Sequence, residues 1–129
     1  MPFSHTISAP EKLARVRAEG PVNLDACIKA IEALASDPEF SKDFKIIVDL
    51  RKMDYDPSNT DVQGLASFLG ARCSSFQERT AVVVPPRLLG VARIVTVLAE
   101  VAGFRMKMFT DYDGAVGWLG IGKPRDINA

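Results

Sequence analysis

A chain of 129 residues with 47% apolar and 25% charged side chains has the make-up of one ordinary globular domain, long enough to bury a core without disulfides or metals. Sixteen basic and sixteen acidic residues cancel to a formal net charge of zero. No basic field is left to hold phosphate backbones or anionic lipid headgroups, so nucleic acid is not an expected partner.

The start, MPFSHTIS, carries neither a basic stretch nor a long apolar one, and no apolar run reaches the roughly twenty residues of a membrane-spanning helix. A cytoplasmic protein with no transmembrane segment is expected. Cys27 and Cys73 stand apart among apolar neighbours, with His5 the single histidine of the chain. Zinc needs clustered ligands and cytosolic thiols stay reduced, so the reading is two core thiols, no metal and no cofactor.

In chain order, residues 3–8 place Phe3, His5 and Ile7 on one face, and residues 12–19 set Ala14, Val16 and Ala18 against Arg15 and Arg17. That period of two predicts half-buried strands, joined as a hairpin through Ala9-Pro10-Glu11. Pro21 and Asn23 open a helix in which Leu24, Cys27, Ile28, Ile31, Leu34 and Ala35 recur at three and four, and Asp37-Pro38 stops it. Residues 45–50 carry Ile46, Ile47, Val48 and Leu50, as in a central strand covered on both faces, with Asp49 interrupting it. A second helix is predicted over 60–76, with Val62, Leu65, Ala66, Leu69, Cys73 and Phe76 inward.

Residues 80–84 repeat the buried-strand pattern and end in Pro85-Pro86. A third helix is expected from about 87 to 102, closed by Gly103, the residue that best tolerates the left-handed conformation after a helix end. Residues 105–110 give a last strand, and Asp111 caps a short helix carrying Val116, Trp118 and Leu119. Residues 122–129 read as a loose tail of a single domain. The order ββαβαβαβα predicts an α/β fold: a mixed five-stranded sheet with four helices, parallel apart from an antiparallel edge given by the hairpin.

Three stretches resemble a known family. VDLR at 48–51, TAVVVPP at 80–86 followed by LLGVARI, and MFTDYDGAVGWL at 108–119 are similar to the SpoIIAA-like branch of the STAS domains, small bacterial proteins also described as STAS/SEC14-like. The resemblance runs from about Ser8 to Leu119 and implies a regulatory domain that works by binding rather than by turnover. Anti-sigma-factor antagonists of the wider family are switched by phosphorylation of a Ser that opens the second helix, in a D-S-[ST]-G motif. The matching residues here are Asp56-Pro57-Ser58-Asn59-Thr60-Asp61, which makes Ser58 the nearest equivalent, without the paired hydroxyls and the Gly. The SEC14-like side of the family implies an apolar small molecule.

In open α/β sheets, ligands bind beyond the carboxyl ends of the strands. That rim gathers Arg51, Lys52, Asp54 and Asp56, then Pro85 and Arg87, then Asp111 and Tyr112. Ser58, Asn59 and Thr60 stand where a helix begins, where a side-chain oxygen can cap an orphan N–H and where a phosphate would also be favoured. Asp49, Asp54 and Arg87 are the residues that a hydrolase or transferase at this rim would use, although no nucleophile paired with a base accompanies them.

The third helix carries one narrow polar stripe, Arg93, Thr96 and Glu100, and is apolar around the rest of its circumference. Either neighbouring helices bury it deeply, or Ile94, Val97 and Val101 line a homodimer contact or an apolar cleft. A homodimer is expected, with a protein partner or an apolar small molecule as the alternatives for what it binds.

Overall fold

The computed structural model describes residues 2–121, so the tail at 122–129 lies outside the described residues. The two alternating segments form β1 (Phe3–Ser8) and β2 (Leu13–Pro21), antiparallel, with Lys12 closing the turn between them at a φ of 51°. Next come α1 (Leu24–Ser36), β3 (Lys45–Asp54), α2 (Asn59–Ala71), β4 (Thr80–Val83), α3 (Leu89–Val101), β5 (Met106–Phe109) and α4 (Tyr112–Leu119). Side-chain caps start three of the four helices: Asn23 accepts from the Ala26 N–H, Ser58 from Asp61 and Asp111 from Gly114.

The five strands lie in the order β1-β2-β3-β4-β5, and every pair after the hairpin is parallel. Each parallel crossover therefore steps one strand in the same direction, and the right-handed rule sends α1, α2 and α3 to one face. There α1 packs on α2 and α2 on α3. Beneath them lies the larger core, including Ala14, Ile46, Leu69, Val82, Val95 and Phe104. On the opposite face α4 alone crosses β3, β4 and β5, sealing a second core of Leu13, Ile47, Ala81, Val83, Ala115, Val116 and Leu119. Arg79 pins its end by donating to the carbonyls of Trp118 and Leu119 at 2.6 and 3.1 Å.

Three expectations need correction. The third strand does not stop at Leu50: it continues to Asp54, so Arg51, Lys52 and Asp54 belong to the strand and not to the loop after it. It can do so because β2 also runs on, to Pro21, after a register shift in which β3 holds one extra residue between the Arg17–Asp49 and Glu19–Lys52 pairs. The second helix ends at Ala71 instead of Phe76, and a separate 3₁₀ turn at Cys73–Ser75 follows. Phe76 is buried all the same, with its ring 5.5 Å from that of Phe40 and 5.6 Å from that of Phe104. The third helix starts at Leu89, since Pro86–Leu88 forms its own 3₁₀ turn.

Gly70 fixes how closely α2 approaches the end of α3. A Cβ there would lie 2.8 Å from the Ala102 Cβ, closer than side-chain carbons pack. Helix propensity alone favours Gly70→Ala by about 1 kcal/mol, whereas overpacking of a fitted contact costs roughly 1 to 3 kcal/mol. We expect the steric effect to win, so that urea unfolding shows Gly70→Ala destabilised and Gly70→Ala/Ala102→Gly largely restored. A more stable single variant would mean that the helices can separate without loss.

Candidate functional site

The strand C-terminal rim is divided by the sheet into two separate groups. On the α4 face, Asp49 and Arg51 form a bidentate pair at 2.9 and 2.8 Å, and the Arg51 guanidinium lies 5.6 Å from the centre of the Tyr112 ring. This hydrogen-bonded pairing holds the Asp49 carboxyl below its usual range and raises Arg51. Because α4 covers β3 to β5 only, the β1–β2 half of this face stays open as a polar concavity of about 440 Å³ that includes Ser4, Thr6, Arg15, Arg17 and Lys52. Its arginines are committed: Arg15 pairs with Glu11, Arg17 with Glu19 and Arg51 with Asp49.

The second group lies on the three-helix side, at the start of α2. The Ser58 hydroxyl accepts from the Asp61 N–H at 3.1 Å, and the Asp61 carboxylate accepts from the Ser58 N–H at 3.3 Å and the Tyr55 hydroxyl at 2.9 Å. This is a reciprocal capping box with a tyrosine added. Burial and the bond to Asp61 push the Tyr55 hydroxyl well above the usual phenol range. Arg87 joins the loop to the start of α3 through the Asp56 carboxylate and the Met53 carbonyl. Asn59 and Thr60 are exposed in the first turn, and Asp54 is exposed with its carbonyl bound to the Val22 N–H. The sequence-predicted rim residues therefore do not converge: Arg51 and Tyr112 are on one face, Ser58 and Arg87 on the other.

What the sequence reading did not find lies behind this second group. Between the sheet and the helix layer is an apolar chamber of about 150 Å³ whose wall includes Ala30, Ile31, Val48, Leu65, Val82 and Met106. A smaller lobe of about 90 Å³ shares Cys27, Leu50, Leu65, Val82, Val95 and Met108 with it and ends at Tyr55, Pro57 and Asp61, beneath the α2 cap. Among the described residues one buried side-chain oxygen has no hydrogen-bond partner, Thr80 Oγ1, and Thr80 lines the larger chamber. The single hydroxyl in the apolar run TAVVV was the available signal. Cys27 stands at the junction of the two lobes, and burial, with the nearby Asp61 charge, pushes its thiol up to about 11.

Among the described residues, no group of three or more potential ligands could hold a metal ion, and no helix is long and apolar enough to cross a membrane. Both cysteines are free.

The chain has a SpoIIAA-like α/β fold. It is similar to the crystal structure of an uncharacterized protein of the DUF3478 family, with a SpoIIAA-like fold, from Shewanella loihica PV-4. The match covers 91% of each chain with a TM-score of 0.57 at 14% sequence identity, so the likeness is one of fold. No protein-family model and no curated protein matches the sequence.

Two outcomes check this geometry. Ser58→Ala removes the cap and should lower stability by about 1 kcal/mol in urea unfolding; an unchanged midpoint would mean that the capping box contributes nothing. At pH 9, Cys27 in the native protein should resist iodoacetamide, because the raised thiol stays protonated until the pH nears 11, and it should react once urea unfolds the chain. Equal labelling in both states would show the junction open to solvent.

Proposed function

We propose that this chain is a non-enzymatic, cytoplasmic binding domain whose ligand is a small apolar molecule held between the sheet and the helix layer. The observation that carries the reading is the apolar chamber with an unpartnered hydroxyl in its wall. Apolar walls that face a gap lose the packing contacts that a filled space would give, and a buried hydroxyl with no partner costs about 1 to 3 kcal/mol. A ligand that fills the space recovers the first, and one with a polar group recovers the second once the Thr80 side chain turns its hydroxyl into the chamber.

Size limits its class. Cavities of about 150 Å³ take a molecule such as benzene, and sites for drug-sized ligands start at about 300 Å³. The chamber and its lobe suit one ring or a short acyl chain with a single polar group, and a diacyl phospholipid is too large. Binding also accounts for the committed rim charges: Asp49 and Arg87 are held in pairs that leave no base poised beside a nucleophile.

A regulatory role follows from the lobe that ends under Ser58. A ligand there would brace Tyr55, Asp61 and the first turn of α2. Phosphorylation of Ser58 is the second reading, favoured by its exposed position at the helix start. A phosphate would take Oγ from the Asp61 N–H and bring charge against the Asp61 carboxylate, loosening the same turn.

Benzene and phenol test the chamber, with thermal unfolding and ligand-observed NMR as readouts. Both should bind and raise the melting temperature, phenol more tightly. Thr80→Val should stabilise the ligand-free protein by about 1 kcal/mol and abolish the preference for phenol. No binding of either probe to the wild-type chain would overturn the reading. Native and then denaturing mass spectrometry of protein from its own host separates a dissociable ligand from a covalent phosphate on Ser58.

A further inference from the structure

Helix α3 buries Ala92, Val95 and Ala99 against the rest of the domain and presents Ile94, Val97, Leu98 and Val101 outward at 54%, 58%, 42% and 84% exposure. Deep burial of this helix between neighbours, one of the two readings the sequence left open, is thereby excluded within the single chain. Isolated exposed aliphatics are ordinary, but these are the exposed large apolar residues of the described chain and all of them share one helix.

The exposed positions follow the i, i+3, i+4, i+7 spacing of any amphipathic stripe, so a copy centred between Val97 and Leu98 can meet them without being required by them. The charges say what covers the face. Arg93 and Glu100 are both exposed, and neither has a partner among the described residues. Seven residues apart, they lie on the same flank but about 10 Å from each other along the axis, too far to pair within the helix. In an antiparallel copy centred on the same point, Arg93 falls about 3 Å along the axis from Glu100 of the partner subunit. The two-fold makes this pair twice.

We propose that α3 is a self-association surface on which two copies of this chain pack antiparallel, with Ile94, Val97, Leu98 and Val101 at the centre and two Arg93–Glu100 pairs along one flank. One helix face is small beside the roughly 1,200 to 2,000 Å² of a standard stable interface. The dimer is therefore reversible and concentration-dependent.

Sedimentation equilibrium of the full chain, from micromolar to millimolar concentration, tests this. A monomer–dimer equilibrium is expected. Val97→Asp should weaken it by about tenfold or more, with circular dichroism confirming an unchanged fold. Arg93→Glu and Glu100→Arg should each weaken it several-fold, more so at low salt. The double variant Arg93→Glu/Glu100→Arg should return to within about twofold of wild type, since reversing both charges restores the pairs. A monomer throughout, a dimer indifferent to Val97→Asp, or a double variant no better than the singles would each overturn the proposal.

Discussion

The structure follows from a mismatch of widths. Packed helices sit about 8 to 10 Å apart, strands about 4.8 Å, and three successive crossovers set three helices above strands β2 to β5 on one face. The helix layer is wider than the strands it connects, so the outer helices are displaced outward: α1 reaches β1, and α3 lies along β5 at the sheet edge. An overhanging α3 has no neighbour on its far side, which is why a helix so apolar keeps four aliphatic side chains in water. The middle of the layer is hollow where small residues of α1, Ala30 and Cys27, help line the chamber.

The other face shows the opposite condition. One short helix cannot cover five strands, so polar side chains take over on β1 and β2, and their charges neutralise one another in local pairs. The extra residue in β3 belongs to this arrangement. Before it, Ile47, Asp49 and Arg51 face α4; after it, Met53 joins the three-helix core. Without that switch of parity the end of β3 would turn Met53 toward water and a charge into the core.

Most of the architecture was legible because it is written at short range. Period two in residues 3–8, period three and four in α1, the caps at Asn23 and Asp111, and Gly103 at a φ of 102° are all local statements, and each stands where it was read. The end of β3 was not legible, since Arg51, Lys52 and Asp54 are charged and the segment becomes a strand only because β2 extends beside it. The end of α2 was missed for a related reason: Phe76 keeps the apolar period but is buried by Phe40 and Phe104 rather than by a helix face. The chamber was least accessible of all. A void is the difference between the volumes of residues from all five strands and from α1, α2 and α3, and no single segment carries its signal. Ser58 was placed correctly as a cap, but its link to Tyr55 and through it to the chamber needed coordinates.

The strand order has a consequence for how the molecule comes into being. Every strand pairs with the one before it in the chain, so no segment must wait for a distant partner or insert between strands already joined. Loop closure stays short at each step, the condition under which α/β domains form quickly. As the chain leaves the ribosome from its N-terminus, the sheet can be laid down one strand at a time from β1 outward. Its last-made edge, β5 with α3 beside it, is then the final part to be shielded from other chains emerging nearby.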